Sequence, residues 1–332
     1  MSAAATPVGG VATVNPVVGF LRRHGWTIGL LAIVVGLLLF TKGVQPRYGP
    51  IPLQGMATSV LPLVLAAVAQ AIVVIAGGID LSIGSMMALT SVVSATLMKG
   101  QSEEFGVAVV IGVLLLGLVL GLINGGLVVV TRVPDIVITL AMGFVWAGFA
   151  LLVRSSPGGG AATWLKDLVV GPLGNEWIPK AAAVALVIIA LIWIPLSRSR
   201  LGISIYAIGS NQLAAFRSGV PVGRTRIAAY MFCGLFAALA GLSLTASTTI
   251  GSPVPGPYTL LSVAAVVLGG VSLAGGRGGV LGPIIAVVIL QLIQTDLTFL
   301  HVDSNFAFVA QGVILIAVVM IGSVIQMRRD RA

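Results

Sequence analysis

The sequence predicts an all-α, polytopic transmembrane helical bundle of about ten spans with both termini in the cytoplasm. Three observations carry that prediction. Of the 332 residues, 58% are hydrophobic and only 8% are charged, where an ordinary soluble domain carries about 25% charged residues. Mean hydropathy is +1.13, and apolar runs close to the roughly 20 residues that cross a bilayer recur along the whole chain. The breaks between those runs are polar or rich in glycine and proline.

In chain order the runs fall at about 26–43, 56–76, 81–98, 106–131, 136–153, 180–196, 227–247, 258–274, 280–299 and 305–325. They define a membrane domain over 26–326, flanked by tails at 1–25 and 327–332. Residues 1–18 are small and polar with no basic n-region, and Arg22, Arg23 and His24 directly precede the first run, so it reads as a retained span and not a cleaved signal peptide. The fifth and sixth runs flank a polar stretch, 154–179, with Gly158, Gly159 and Gly160 and with Trp164 and Trp177 placed for a membrane interface.

With the N-terminus inside, twelve basic residues fall on inner segments: Arg22, Arg23, Arg132, Arg198, Arg200, Arg217, Arg224, Arg226, Arg277, Arg328, Arg329 and Arg331. Six fall outside: Lys42, Arg47, Lys99, Arg154, Lys166 and Lys180. This excess of inner positive charge sets the orientation. It also accounts for the net charge of +9, since the cations sit at the ends of apolar runs and not on a soluble module suited to nucleic acid. One cysteine, Cys233, and two histidines, His24 and His301, exclude an internal disulfide framework and a multi-cysteine metal site. Neither catalytic residues nor metal ligands are expected.

Three segments between spans carry information. The first is the longest inner loop, 197–226, with five arginines and no acid. Ser210 or Asn211 suits the cap of a short helix over Gln212–Ser218, Gly219 suits its left-handed stop, and Pro221 prevents continuation. Leu201, Ile203, Ile205, Tyr206 and Ile208 form an apolar patch upstream, and Phe216 stands on the short helix. A capped helix with an apolar knob and basic flanks fits a groove on a partner protein; the same pattern fits a loop lying on anionic membrane lipid.

The second is Ala76-Gly77-Gly78-Ile79-Asp80-Leu81-Ser82-Ile83-Gly84-Ser85. A glycine-rich interruption at membrane depth is tolerated where it lines a polar cavity, whereas a cap at Asp80 with glycines in a tight turn would be purely structural. The third, Gly269 to Gly279, holds six glycines in eleven residues. No Gly-Lys-Ser/Thr follows and Leu281 stands where a dinucleotide fingerprint needs glycine, so a close-packed turn carrying Arg277 is expected. Gly77-Gly78-Ile79-Asp80-Leu81 matches Gly269-Gly270-Val271-Ser272-Leu273 over five positions and hints at an internal repeat.

Within the spans Gln70, Asn124, Thr139, Thr245, Gln291 and Gln294 are costly against lipid and are expected to face other helices or a path. Gly121, Gly125 and Gly126 around Asn124 permit close helix approach. Asp80, Asp135 and Asp296 all fall near span ends, leaving no ionisable residue mid-span of the kind an ion-coupled carrier uses. A secondary carrier or facilitator is disfavoured on that ground, and a membrane scaffold is the other alternative.

At these residues the chain resembles the bacterial ribose/xylose-type permeases of ATP-binding-cassette (ABC) transporters, within the grouping that includes branched-chain amino acid permeases. The resemblance rests on Gly77 to Ser85; on Gly121-Leu122-Ile123-Asn124-Gly125 followed by Pro134 to Leu140; on Tyr206 to Asn211 through Arg217-Ser218-Gly219-Val220; and on Val267-Leu268-Gly269-Gly270 through Gly282. It implies an inner-membrane permease subunit that imports a sugar or related polar solute and uses no cofactor. The implied partners are an ATP-binding subunit, often tandem-fused, a periplasmic sugar-binding protein and a second permease subunit, identical or paralogous.

By the same resemblance Ser210, Asn211, Gln212, Leu213, Ala214, Ala215, Phe216, Arg217, Ser218 and Gly219 form the helix that couples to the ATPase. Asp80, Ser82, Asn124, Thr139 and Gln291 are the candidates for a translocation path. Two positions depart from the family pattern: Asp135 stands where an aromatic or apolar residue is usual, and Thr259-Leu260 where Glu-Leu is common.

Overall fold

The structure, a computed structural model, describes residues 16–254 and 256–302 and single helical positions at 306, 309, 312, 313, 316 and 320. Most of the predicted run 305–325, residues 1–15 of the N-terminal tail and the C-terminal tail 327–332 lie outside the described residues. The chain is helical almost throughout: α1 (Pro16–Val44), α2 (Pro50–Ile75), α3 (Ile83–Met98), α4 (Glu103–Thr131), α5 (Asp135–Val153) and α6 (Thr163–Val169). A small antiparallel hairpin follows, β1 (Pro172–Leu173) with β2 (Asn175–Pro179), and then α7 (Lys180–Arg198), α8 (Arg200–Ser210), α9 (Gln212–Arg217), α10 (Val222–Thr248), α11 (Tyr258–Leu268) and α12 (Leu281–Phe299).

Among the described residues seven helices are long and apolar enough to cross a membrane: α1, α2, α4, α5, α7, α10 and α12. The third and eighth predicted spans are shorter than expected. With 16 and 11 residues, α3 and α11 cover about 24 and 16 Å of a hydrocarbon layer about 30 Å thick. Each is continuous with a glycine-rich, non-helical segment whose composition is apolar enough to be counted as span. At the other end of the chain α1 begins ten residues ahead of the predicted position 26; proline suits the first helical position, and arginine propagates a helix well.

Burial sorts the helices by composition. α2 is apolar on every side, and every residue from Val60 to Ile75 is buried, so it occupies the middle of the bundle. The outward rows of α4, α5 and α7 instead expose Leu115, Phe144, Leu186 and Leu191, side chains that lipid would cover. Between α4 and α10 the approach is closest. Gly117, Gly121 and Gly125, four residues apart and hence on one face, lie against Gly234, Tyr230 and Ile227, and a Cβ at Gly125 would stand 2.9 Å from the Ile227 Cα. Gly126 faces open space.

Polar side chains stitch helices together where lipid could not satisfy them. Thr245 Oγ1 of α10 lies 3.0 Å from both Ser91 Oγ and Ser94 Oγ of α3, and Thr41 of α1 donates to Asp296 Oδ1 of α12 at 2.6 Å. The polar stretch 154–179 is more ordered than a loop: Glu103 accepts the Thr163 amide at 2.9 Å, and its carbonyl accepts from Trp164 Nε1 at 3.0 Å, which anchors α6 to the start of α4.

Candidate functional site

The interruption after α2 is the first half of the site. Gly77 adopts φ +83°, a left-handed stop that glycine tolerates without a Cβ penalty. The Gly77 amide donates to Val74 O and the Gly78 amide to Val73 O, closing a Schellman motif. The chain then doubles back along α2. Gln70, in the amide orientation that pairs donors with acceptors, donates to the Asp80 carbonyl at 2.8 Å and accepts from the Asp80 amide at 3.3 Å. Asp80 therefore sits level with a residue five positions inside the end of α2, deeper than the span-end position expected from the sequence.

Around that carboxyl group a closed polar network forms. Asp80 Oδ1 accepts from the Ser82 amide at 2.8 Å and from Ser82 Oγ at 2.6 Å. Asn124 Nδ2 of α4 donates to Ser82 Oγ at 2.7 Å and stands 3.5 Å from Asp80 Oδ2, while Asn124 Oδ1 accepts from Trp146 Nε1 of α5 at 3.2 Å. Thr139 Oγ1 of α5 accepts the Leu81 amide at 3.0 Å. Asp80, Ser82, Asn124 and Thr139 are all at 0% exposure. Four of the five path candidates thus meet in one network that presents no surface in this conformation. Gln291, on α12, is not part of it.

Asp135 and Thr259, the two residues that the resemblance did not lead one to expect, both lie against this interruption. Asp135, at the start of α5, pairs with Arg226 Nη2 at 2.6 Å and accepts from Tyr230 Oη at 2.7 Å, both on α10. Asp135 Oδ2 and Tyr230 Oη are also the atoms that a Cβ on Gly78 would meet. Thr259 Oγ1, at the start of α11, accepts the Gly84 amide at 2.9 Å, one of the orphan donors of α3. The sequence marked Asp135 and Thr259 as unusual but gave no partner for either, because the partners lie 91 and 175 residues away.

The second half of the site is the loop after α7, where α8 and α9 replace the single short helix expected. Asn211, not Ser210, caps α9: its Oδ1 accepts from the Ala214 amide at 2.9 Å. Ser210 belongs to the end of α8 and lies against the glycine-rich turn, with its Oγ 3.5 Å from Gly276 O. Gly219 (φ +82°) ends α9 with the expected left-handed stop, its amide donating to Phe216 O. Leu213 and Phe216 stand 59% and 66% exposed on α9, and Ala215 is buried beneath them.

The two halves touch. Gly276 donates its amide to Ile75 O, the last residue of α2, at 2.9 Å, and Gly209 of α8 packs on both atoms without room for a Cβ. Tyr206 of α8 donates to Gly278 O at 2.8 Å; burial pushes its phenol above the ordinary tyrosine value, so it remains a donor. The glycine-rich segment is the close-packed turn expected, with Arg277 exposed. It shares a helix-ending motif with the first interruption, but not in the register of the sequence match. Gly270 (φ +80°) repeats the conformation and bonding of Gly77, donating to Val267 O while Val271 donates to Val266 O. Gly77 thus corresponds in conformation to Gly270, one position beyond the Gly269 of the sequence match, and in that register the residues that follow do not match.

A helical bundle with lipid-facing rows, interrupted helices at its centre and a capped surface helix resting on their ends defines a transport protein of the multi-pass permease class. Residues 53–322 match the family described as branched-chain amino acid transport system / permease component. The chain belongs to that family and is a permease subunit of an ABC-type import system. It is 34% identical over 262 residues, 77% of this chain and 80% of the relative, to the ribose import permease protein RbsC of Escherichia coli (strain K12). It is 29% identical over 319 residues, 93% of this chain and 95% of the relative, to the autoinducer 2 import system permease protein LsrD of Escherichia coli O9:H4 (strain HS). No solved structure matches the chain.

Proposed function

We propose that this chain is the translocating subunit of an ATP-driven importer of the bacterial inner membrane, passing a sugar or related polar solute delivered by a periplasmic binding protein. It performs no chemistry itself. A separate ATP-binding subunit, of the tandem-fused kind, hydrolyses the nucleotide and docks on Ser210 to Gly219, and a second permease, identical or paralogous, completes the path. The substrate class follows from the ribose permease relative. Ten spans with both termini cytoplasmic remain part of this proposal, as do the domain limits.

One observation carries the coupling step: α8 rests directly on the end of α2, through Gly209, Ile75 O and Gly276, and α9 packs on α8. A push on the exposed Leu213 and Phe216 of α9 reaches the interruption through α8. Asp80, Ser82, Asn124 and Thr139 then act as the brace that holds the non-helical segment in shape beside the path, and need not touch the solute.

The test is ATPase activity of the permease reconstituted with the ATP-binding subunit encoded beside it, with and without the loaded binding protein, across a panel of sugars. Stimulation by one loaded binding protein is expected and would name the substrate. Deletion of 210–218, or Gly219→Trp, should abolish co-purification of the ATPase while membrane insertion persists. Solute counterflow without nucleotide, in the absence of any complex, would make the chain a facilitator.

A further inference from the structure

Beside the capped helix, between the exit of α7 and the entry of α10, lies a cavity of about 610 Å³. Its walls include Arg200 and Ser204 of α8, Ser218 from the end of α9, and Arg224 and Thr225 from the first turn of α10. None of the described residues lining it is acidic. Arg200 and Arg224 are exposed and have no ion-pair partner among the described residues. The N-terminus of α10 has no side-chain cap and no acid in its first turn, so the positive end of a 27-residue helix opens here uncompensated. Thr225, which is 2% exposed, lines the cavity and makes no side-chain hydrogen bond to another described residue, which leaves its hydroxyl free to meet a ligand there.

Two guanidinium groups, three hydroxyls and free helix amides, without a carboxylate, make a receptor for a phosphate oxygen cluster. The position of the cavity selects among phosphates. One wall is the first turns of a spanning helix, α10 from Val222, and the other is α8, which starts two residues after the spanning helix α7 ends at Arg198, so the opening lies at the headgroup layer. We infer that this cavity holds the phosphate of an anionic phospholipid of the cytoplasmic leaflet, seated against the flank of α9. The cytoplasmic placement of the loop is shared with the proposed function, whereas ATPase docking is not required.

The experiment is native mass spectrometry of the full-length permease with phosphatidylglycerol or phosphatidylcholine as probe, before and after addition of the ATP-binding subunit. One phosphatidylglycerol should be retained in preference to phosphatidylcholine. A cationic residue at an anionic surface contributes about fivefold in affinity, so Arg200→Gln/Arg224→Gln together should weaken retention by roughly 25-fold. Arg200→Lys/Arg224→Lys should keep most of it, which separates loss of the site from loss of the fold. Equal retention by the double glutamine variant, or of phosphatidylcholine by the wild type, would overturn the inference. So would displacement of short-chain phosphatidylglycerol by inorganic phosphate at equal concentration, which would mark a free-anion site. Release of the lipid when the ATP-binding subunit assembles would give the cavity to that subunit and equally overturn it.

Discussion

Replacing Asp80 tests whether the buried network holds the interrupted helix. Asp80→Ala removes the acceptor for the Ser82 amide and for Ser82 Oγ, at 2.8 and 2.6 Å, in a site with no water access, since both residues are at 0% exposure. A buried donor left unpaired costs about 1–3 kcal/mol, so the two together cost about 2–6 kcal/mol. Asp80→Asn keeps one oxygen for Ser82 but turns an NH2 group toward Asn124 Nδ2, which stands 3.5 Å from Asp80 Oδ2. Asn124 cannot simply rotate to accept, because its Oδ1 is held by Trp146 Nε1 at 3.2 Å. The asparagine variant therefore carries one donor–donor opposition, about 1–3 kcal/mol. Thermal denaturation in detergent, followed by fluorescence-detected size exclusion, should rank wild type above Asp80→Asn and Asp80→Ala last, with ATP-driven uptake falling in the same order. If both variants melt and transport as the wild type does at equal expression, the network has no part in holding the interruption.

Asp135→Leu strands Arg226 and the Tyr230 hydroxyl, and breaking a largely buried pair costs about 3 kcal/mol; Asp135→Leu/Arg226→Leu should recover part of it, and strictly additive melting shifts would show that the pair is not coupled. Gly121→Ala drives a Cβ to 2.8 Å from the Met231 Cα and should destabilise by about 1–3 kcal/mol. Gly126→Ala, with nothing within 4 Å, should be neutral or stabilising in the same melt. Asn211→Ala removes the α9 cap, about 1 kcal/mol, and should weaken ATPase co-purification without lowering expression; an unchanged yield of complex would remove α9 from the docking surface.

What could be read from the sequence was local chemistry. The α9 stop at Gly219 and the Gly77 turn each follow from a glycine where the chain needs positive φ, and the core position of α2 follows from its lack of a polar face. Even there the sequence left the cap between Ser210 and Asn211, since the two have similar capping chemistry and only Gly276, 66 residues on, draws Ser210 away. Hydropathy also overcounted α3 and α11, because it weighs side chains and is blind to whether the backbone is helical. Internal hydrogen bonding, not composition, is what the bilayer demands of a backbone, and the segment from Gly77 to Ser82 meets that demand through Gln70, Thr139 and its own Asp80.

The contacts that stayed hidden were those between distant residues, and they converge. Asp135 reaches Tyr230 beside Gly78, on the entering side of the interruption, and Thr259 takes the Gly84 amide on the leaving side. A carboxylate paired across α5 and α10 holds those helices to the interruption only while the pair is closed, and the short Thr259 side chain ties the start of α11 directly to the first turn of α3. Asp135 and Thr259 therefore both act on how firmly the same six-residue break is clamped, from its entering and its leaving side, while Asp80 braces it from within.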